Sequence, residues 1–375
     1  MEIDNPFLVS GYAGPEYFCD RKDETARLVS AAKGKVNTLL ISRRRMGKSG
    51  LVEHLFANKE IAKKFYTFYV DIYSTLDLND FVWTFGNVVC KSLMSKGSKI
   101  VEAFMRTVKS IQFRMGYDEQ GLPNTSFGLG DIRDKSVSLD EIFSYIESAD
   151  RPCIVAFDEF QQIAKYPEKN LEALLRTYIQ KSKNAVYIFS GSQRHTIQNM
   201  FSSPSRPFYN STVTLSLEPI NKDKYIDFVV KKFAEAGKSI SKDIVSRVYD
   251  MYEGHTWYIQ FMFHEMYYMA QPECREEMID MALDKILKDN DSYYSFMLYN
   301  IPDKQQNLLR AIAAEGLADR IQSAEFVKKY NLQSASSVQS AVGRLMDRDI
   351  ISCEKSVYFI QDRFFAIWLK RKFKF

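Results

Sequence analysis

The sequence predicts an α/β protein with a mostly parallel sheet, followed by a small α-helical domain and a C-terminal winged-helix domain. Three observations lead to this prediction. Over roughly the first 215 residues, five short apolar runs alternate with helical segments, a pattern typical of a parallel sheet. From Asn221 onward, only helical periods recur. From Ile301, three helices precede a hairpin, which is the winged-helix order.

Short apolar runs bounded by turn signals indicate strands that are buried on both faces of a sheet. The predicted strands are Val36–Ile41, Phe65–Asp71, the run that ends at Asp158, Ala185–Phe189 and Thr212–Leu217. The predicted helices between them run from Lys48 to about Asn58, from about Leu78 to Lys109, over Leu139–Ala149 and over Leu171–Gln180. Glycine, proline and asparagine recur in residues 111–137, so we expect a loop or hairpin inserted in the sequence of the core domain. A solvent-exposed excursion is favoured over a role in partner contact.

Composition is that of an ordinary globular protein, with 46% apolar and 26% charged residues. The net charge of +4 neither demands nor excludes a nucleic-acid partner. The five cysteines are scattered and form no Cys-x-x-Cys pair, which argues against a zinc site or a disulfide scaffold and fits a reducing compartment. No apolar run approaches membrane-spanning length, and the N-terminus does not resemble a signal peptide. We therefore expect a cytoplasmic protein with no membrane partner.

The stretch from Leu39 to Leu51 predicts a buried strand, a basic turn and the start of a helix. The turn ends in Gly47-Lys48-Ser49, the last three positions of a phosphate-binding loop. Glycine lets the backbone approach a phosphate, and the amides at a helix start point toward the anion. Lys48 is therefore expected to reach the β- and γ-phosphates of a nucleotide, and the Ser49 hydroxyl to bind Mg²⁺.

A Gly-Lys-Ser tripeptide also occurs in ordinary surface loops, but the strand before it and the apolar helix positions after it favour a phosphate loop. Ser42 stands where the full motif has its first glycine, and serine is small enough for the turn. The residues expected to contact the nucleotide here are Arg44, Arg45, Met46, Gly47, Lys48, Ser49 and Gly50.

Another apolar run ends in two adjacent carboxylates, Asp158 and Glu159. Ligands of parallel sheets bind beyond the carboxyl ends of the strands, so Asp158 is expected beside the phosphate loop, in the Mg²⁺ shell. Glu159 is expected to polarise an attacking water molecule. The alternative is a strand followed by an acidic helix cap, but the phosphate loop roughly a hundred residues upstream favours nucleotide binding.

Polar residues also follow the strand Ala185–Phe189, where they would lie near the γ-phosphate of a bound nucleotide. Ser192, Gln193 and Arg194 are the candidates for sensing it, with Ser192 as a nucleotide contact and Arg194 as a catalytic residue. The alternative is a strand-to-helix turn in which Ser192 caps the helix. Asp71 ends its own strand as well, and a turn or cap is favoured there over a role near Mg²⁺.

Changes in the pattern of predicted strands and helices divide the chain into a core at 1–218, a helical lid at 219–298 and a winged-helix domain at 299–375. Residues 301–375 contain thirteen positive and eight negative side chains. Duplex DNA contact through Gln339, Ser340 and Arg344 on the third helix of this domain is one hypothesis. A protein–protein or autoinhibitory module is an equal alternative, because the third helix is not strongly basic.

Taken together, these motifs resemble the archaeal ATPase family of P-loop NTPases, which lies close to the AAA+ and STAND ATPases. The residues that carry the resemblance, which spans nearly the whole chain, are Arg44–Ser49, Phe157–Gln161, Phe189–Ser192, Gly254-His255 and Ile360–Leu369. The resemblance implies an ASCE-type parallel sheet with one strand between the two nucleotide-binding strands, a helical lid and a winged helix. It also implies ATP and Mg²⁺. The sequence departs from the family pattern at Ser42, at Asp20, where relatives commonly have glycine, and after Gly254, where a common proline is missing.

The combined expectation is a slow, Mg²⁺-dependent ATPase that acts as a nucleotide-driven molecular switch. Two alternatives stay open, a DNA-associated regulator that uses the winged helix and a protein-interaction switch with little or no turnover. No arginine finger can be chosen among Arg43, Arg44, Arg45 and Arg194. The sequence also leaves open the oligomeric state and the biological process.

Overall fold

The structure, a computed structural model, describes residues 3–94, 98–117, 123–132 and 134–373. These residues form two compact units. One unit is Ser10–Tyr225, and the other runs from Ile226 to the C-terminal helix and includes an N-terminal arm that ends at Val9. The domain boundaries after residues 218 and 298 stay predictions from the sequence.

The strands are β1 (Thr38–Ser42), β2 (Tyr66–Asp71), β3 (Ile111–Tyr117), β4 (Pro123–Ile132), β5 (Cys153–Asp158), β6 (Ala185–Ser190), β7 (Val213–Leu217), β8 (Ser239–Ile240), β9 (Glu273–Cys274), β10 (Ile351–Glu354) and β11 (Val357–Ile360). The helices of the first unit are α1 (Lys22–Lys33), α2 (Lys48–Ala57), α3 (Lys59–Lys64), α4 (Leu78–Met94), α5 (Ser98–Thr107), α6 (Lys135–Ser148), α7 (Leu171–Lys181) and α8 (Arg194–Ser202). The remaining helices are α9 (Lys222–Glu235), α10 (Lys242–Met251), α11 (Thr256–Met269), α12 (Glu277–Asp289), α13 (Asp291–Tyr299), α14 (Asp303–Glu315), α15 (Ala324–Lys329), α16 (Ala335–Asp347) and α17 (Arg363–Lys372). Short 3₁₀ helices span Pro15–Tyr17 and Phe160–Lys165.

A five-stranded sheet in the order β2-β5-β6-β1-β7 organises the first unit, and its neighbouring strands are all parallel. All five strands expected from the apolar runs are present. Strand β6 lies between β1 and β5, as the resemblance implied. The α/β fold with a parallel sheet is therefore confirmed.

Each face of this sheet is covered by a hydrophobic core, because side chains alternate between the two faces along a strand. Val155 and Phe157 of β5 belong to the larger core, which also contains residues of α4, α6 and α7. Ile154 and Ala156 belong to the smaller core, which contains residues of α1 and α2. Every residue of β5 is buried, which explains why the sequence shows a continuous apolar run there.

Three segments between β2 and β5 add detail to their predictions or differ from them. The expected hairpin at 111–137 is an antiparallel pair of strands, β3 and β4, and residues 118–122 and 133 of this prediction lie outside the described residues. The long helix expected over 78–109 is divided into α4 and α5. Helix α6 begins at Lys135, four residues before the predicted start, because Asp134 caps it by accepting hydrogen bonds from the amides of Ser136 and Val137.

The second unit is mainly helical and ends in the expected winged-helix order. Helices α14, α15 and α16 precede the antiparallel hairpin β10–β11, and α17 closes the chain. The helical periods that were predicted from Asn221 onward are present as α9 to α12. The sequence analysis missed α13 and a parallel pair of two-residue strands, β8 and β9.

The N-terminal arm packs within the second unit. Phe7 is fully buried among the rings of Phe233, Phe263 and Tyr267, with centroid distances from 5.6 to 5.9 Å. The Trp257 indole donates a hydrogen bond to the Val9 carbonyl at 2.9 Å. The arm therefore contributes core side chains and backbone acceptors to helices that follow it by more than two hundred residues.

Helix length and polarity bear on the membrane question. Across the parts of the chain that the structure describes, none of the helices is both long enough and apolar enough to cross a bilayer.

Candidate functional site

A row of polar side chains crosses the carboxyl-terminal side of the sheet. Tyr69, Asp158, Ser190 and Ser42 belong to the neighbouring strands β2, β5, β6 and β1. Each lies in the phase of its strand that faces the smaller core, for example two residues after Ala156 in β5. We call these four residues the polar row. They share one face of the sheet with α2, the helix that follows the predicted phosphate loop.

The phosphate loop connects β1 to α2 through residues 43–47. Gly47 has a φ of 89° and a ψ of 27°, a left-handed conformation that favours glycine. A Cβ atom added at Gly47 would meet no atom within 4 Å, so the backbone angle and not the space requires glycine there. Met46 is buried in the smaller core, and only its backbone is available to a ligand. Gly47 therefore leads into the start of α2 at Lys48, and the first amides of a helix have no intrahelical partner.

Lys48 is buried at the start of α2, where its Nζ donates a hydrogen bond to the Ser42 Oγ at 3.3 Å. Burial lowers the pKa of Lys48, while the charges of Asp158 and Glu159 act in the opposite direction. A buried ammonium group is stabilised by an anion, so this position suits a phosphate. Ser42, which replaces the first glycine of the motif, supplies the acceptor for Lys48.

Asp158 receives hydrogen bonds from four donors. Ser49 Oγ donates to Oδ2 at 3.0 Å, and the Tyr69 hydroxyl makes a short hydrogen bond to the same oxygen. Ser190 Oγ donates to Oδ1 at 2.5 Å, and the Glu159 amide donates to Oδ1 at 3.0 Å. The predicted contact between the Asp158 region and the phosphate loop is therefore made by Ser49.

The charge of Asp158 affects its neighbours on β2. Burial, and then the negative charge of Asp158, raises the pKa of Tyr69, so its hydroxyl keeps its proton and acts as a donor. Burial also raises the pKa of Asp71, which is opposite Asp158 in the β2–β5 register. Asp71 accepts a hydrogen bond from the Tyr73 amide at 2.9 Å, in keeping with the turn role favoured for it.

Glu159 follows β5 in a left-handed conformation, with a φ of 56°. Its Oε2 accepts hydrogen bonds from the Ser192 amide at 3.1 Å, from the Ser192 hydroxyl at 2.8 Å and from the Gln161 side-chain amide. Gly191 makes room for this arrangement, because a Cβ atom there would lie 1.9 Å from the Gln161 Oε1. The carboxylate of Glu159 is thus held by residues from two segments.

Ser192 and Arg194, which follow β6, differ in their contacts. Ser192 contacts Glu159, and the position that precedes α8 is Gln193, so Ser192 does not act as the helix cap. Arg194 begins α8 with an exposed side chain, and no hydrogen bond or ion pair connects its guanidinium to another described residue of the site. The structure brings Ser192 to the predicted site and leaves Arg194 at its edge.

Arg21 stabilises the loop from a segment to which the sequence analysis assigned no site residue. Its side chain is buried, and Nη1 donates to the Glu218 carbonyl at 2.6 Å and to Glu24 Oε1 at 2.8 Å. Nη2 lies 3.4 Å from the Met46 carbonyl of the phosphate loop. Arg21 therefore connects the start of α1, the end of β7 and the loop. The sequence signal that could have identified Arg21 was an arginine directly before a helix with an acidic first turn.

The donor set suits a magnesium ion. Mg²⁺ prefers oxygen ligands and usually takes only one or two from the protein, with water and substrate phosphates completing the octahedron. Ser49 Oγ and the Asp158 carboxylate are such oxygens, and they already lie within hydrogen-bond distance. Among the residues that the structure describes, no group of three or more His, Cys, Asp or Glu side chains could form an all-protein metal cage. The residues present fit Mg²⁺ bound together with a nucleotide.

A parallel sheet with β6 between β1 and β5, a glycine-lysine-serine loop before α2 and an Asp-Glu pair after β5 define a P-loop NTPase. A family model described as an ATPase domain predominantly from Archaea matches residues 18–262, and a winged-helix domain model matches residues 292–371. The chain belongs to this family of ATPases. A search of curated proteins finds no match.

Solved structures share the fold over nearly the whole chain. The Walker-type ATPase PABY2304 of Pyrococcus abyssi is similar with a TM-score of 0.66 and 17% identity, covering 97% of this chain and 99% of that one. The Aeropyrum pernix ORC2 protein, solved as ADPNP–ADP complexes, has a TM-score of 0.58 and 14% identity, with coverage of 99% and 98%. The Aeropyrum pernix ORC1 protein, solved in complex with DNA, has a TM-score of 0.54 and 14% identity, with coverage of 98% and 96%.

Proposed function

We propose that this protein is a slow, Mg²⁺-dependent ATPase that acts as a nucleotide-driven molecular switch. The observation that carries the proposal is the contact between Ser49 and Asp158, with Glu159 as the next residue. These three side chains combine oxygens for a metal with a carboxylate for a proton, beside the N-terminus of α2. Membership of the ATPase family supports nucleotide binding.

Phosphate binding is assigned to the loop and its lysine. Backbone amides from Arg44 to Gly50 are assigned to bind the anion at the start of α2, where the helix dipole favours negative charge. Lys48 contributes a buried positive charge whose pKa is lowered by burial, and a phosphate partner would restore favourable interactions for the charged form. A Cβ atom added at Gly50 would lie 3.4 Å from the ring of Phe18, which stacks on His54, so Phe18 packs beside the first turn of α2.

Metal binding is assigned to Ser49 and Asp158. Bound Mg²⁺ would neutralise charge that develops on the phosphates during transfer. The protein's part is to supply the Ser49 hydroxyl oxygen and an Asp158 carboxylate whose orientation is fixed by hydrogen bonds on both oxygens.

Glu159 is assigned as the general base for the attacking water. The three hydrogen-bond donors to this carboxylate all use Oε2, so Oε1 is the oxygen left to accept a proton. Ser192 and Gln161 hold the carboxylate in one orientation. Arg194, exposed at the start of α8, is proposed to contact the γ-phosphate when ATP is bound.

The test is phosphate release from ATP with Mg²⁺ by the full chain. We expect Lys48→Ala to lose nucleotide binding and Glu159→Gln to keep binding but to lose hydrolysis by 10²-fold or more, the usual contribution of a general base. Lys181→Ala is a matched control, because Lys181 is an exposed lysine at the end of α7. Hydrolysis that persists in Lys48→Ala at the rate of the control would refute the assignment.

The switch part of the proposal has its own measurement. Hydrogen exchange of the Glu159→Gln variant with ATP is compared with that of the wild type with ADP. We expect amide protection to differ between the two states in the second unit, outside the nucleotide site. Identical protection there in both states would leave an ATPase but not a switch.

A second candidate function is duplex DNA binding by the winged-helix domain. Helix α16 buries Val338 and Leu345, whereas Gln339, Ser340 and Arg344 are exposed on its outer side. These exposed side chains can donate to bases and phosphates. The related fold of the Aeropyrum pernix ORC1 protein, solved with DNA, supports this candidate.

Duplex binding is measured at several salt concentrations. Because each phosphate contact adds about 0.9 to the slope of log affinity against log salt, we expect Arg344→Ala to lower the slope by roughly one. Arg275→Ala is the control, since Arg275 is exposed in the same unit but outside the winged helix. Absence of salt-dependent binding by the wild type would instead favour the protein-interaction alternative.

A further inference from the structure

Tyr69 and Ser190 are the two members of the polar row that the phosphate-loop and Asp-Glu motifs do not include. We propose that they are positioning residues that hold the Asp158 carboxylate in the orientation needed to bind Mg²⁺. This inference rests on the proposed function, because it concerns how the same site binds its metal. Neither residue was expected from the sequence.

The topology places these two residues on either side of Asp158. Strands β2 and β6 are the two neighbours of β5 in the sheet, and Tyr69 and Ser190 come from these strands. Tyr69 donates to Oδ2, and Ser190 donates to Oδ1 at 2.5 Å. One donor on each oxygen, from opposite sides, fixes the rotation of the carboxylate about its own axis.

The remaining donors to Asp158 differ from this pair. An ionised carboxylate has about four acceptor positions, and Tyr69, Ser190, Ser49 and the Glu159 amide supply four donors. Of these, only Ser49 is itself a candidate metal ligand. A bound Mg²⁺ would be held by the Ser49 oxygen and the Asp158 carboxylate, and the two donors from the flanking strands would keep the carboxylate in place.

A purely structural role for these hydroxyls is the competing explanation, and strand β2 contains a control for it. Tyr66, on the same strand, donates to the Asp150 Oδ1 at 3.0 Å. This is also a tyrosine–aspartate hydrogen bond, but it lies at the opposite end of the strand from the polar row. Removal of the Tyr66 hydroxyl reports the structural cost of losing such a bond without disturbing the site.

The experiment measures the binding of mant-ATP, a fluorescent ATP analogue, to the full chain at increasing Mg²⁺ concentration. Loss of a residue that orients a metal ligand typically lowers metal affinity by 10- to 100-fold. We expect Tyr69→Phe to raise the Mg²⁺ concentration at half-saturation about tenfold, and Ser190→Ala to raise it in the same direction. Mant-ATP affinity measured without Mg²⁺ should stay within twofold of the wild type in both variants. Tyr66→Phe should leave both quantities unchanged.

Two outcomes overturn the inference and are distinguishable. In the first outcome, the wild type binds mant-ATP with Mg²⁺, but in Tyr69→Phe and Ser190→Ala the Mg²⁺ concentration at half-saturation stays within twofold of the wild type. The two hydroxyls then do not position the metal ligand, and the proposed function stands. If the wild type does not bind mant-ATP at all, the proposed function fails and the inference fails with it. Ser190→Ala decides the matter alone if Tyr69→Phe does not fold, because serine to alanine removes only the hydroxyl.

Discussion

Gly191 permits a sharp test of how Glu159 is held in place. The substitution Gly191→Ala adds a Cβ atom that would lie 1.9 Å from the Gln161 Oε1 and 3.0 Å from the Ile197 Cδ1. Contacts of 1.9 Å do not occur, so the Gln161 amide must move. Gln161 is only 3% exposed, which leaves it little room, and its Nε2 is the donor to Glu159. We therefore expect the added methyl group to break the hydrogen bond to Glu159.

The magnitude follows from that bond. A hydrogen bond to a charged group contributes about 1.5 to 3 kcal/mol, whereas replacing glycine by alanine in an unstrained conformation stabilises by about 0.4 to 1 kcal/mol. The net expectation for Gly191→Ala is a loss of about 1 to 2 kcal/mol in the free energy of unfolding, measured as the urea midpoint at unchanged slope. Phosphate release should fall at least tenfold because Glu159 is misplaced, with mant-ATP affinity retained.

Two controls make this prediction decisive. Gly343→Ala lies on the exposed side of α16, where an added Cβ atom meets nothing within 4 Å, and it should stabilise by about 0.5 to 1 kcal/mol. In a Gln161→Ala background most of the clash is absent, so Gly191→Ala should there cost less than half as much, a coupling visible in a double-mutant cycle. A wild-type urea midpoint for Gly191→Ala, or an equal cost in both backgrounds, would show that Gly191 does not act through Gln161.

Three further predictions concern the loop and its supports. Ser42→Gly removes the acceptor that holds Lys48 at 3.3 Å, so the lysine is freed for phosphate and mant-ATP should bind about two- to fivefold more tightly, as measured by fluorescence titration; weaker binding would contradict this. Arg21→Lys should lower the free energy of unfolding by about 1.5 to 3 kcal/mol in urea, because a lysine cannot bridge the Glu218 carbonyl and the loop as a guanidinium does. Ser49→Ala should abolish the Mg²⁺ dependence of mant-ATP binding while Mg²⁺-free binding remains, and a preserved dependence would remove Ser49 from the metal site.

The sequence was most informative where a residue's role depends on the chain immediately around it. Gly47, Lys48 and Ser49 stand in a fixed order at a strand-to-helix turn, and Asp158 and Glu159 end an apolar run, so both segments could be recognised locally. That the two segments meet was predictable as well, since carboxyl ends of parallel strands lie at the same edge of a sheet. The contact between Ser49 and Asp158 is that meeting point.

Residues whose roles depend on neighbouring strands were missed. Tyr69 lies within a run of aromatic and apolar residues, and Ser190 closely precedes the residues that were considered as sensors of the γ-phosphate, so neither was assigned to the site. Their contact with Asp158 follows from the strand order β2-β5-β6, which no local pattern contains. The available signal was the alternation of side chains between the two faces of a sheet. This alternation places Asp158 and Ser190 on the side of the sheet that faces α2.

Helix α13 was missed for a different reason. The predicted helical period ends at residue 288, next to the end of α12 at Asp289, and no helix was predicted where α13 begins, at Asp291. Its exposed aromatic residues also obscure the usual amphipathic pattern, with Tyr299 84% exposed. Without a clear amphipathic pattern, periodicity does not reveal a helix of nine residues.

The N-terminal arm has a consequence for the order in which the chain acquires its structure during synthesis. Phe7 is synthesised more than two hundred residues before its partners Phe233, Phe263 and Tyr267. The unit Ser10–Tyr225 can complete its sheet in the interval, because all five strands are then available. Phe7 therefore cannot make all of these contacts until α11 has been synthesised. The unit that contains the nucleotide site can therefore fold early during synthesis, whereas the N-terminal arm can pack only later.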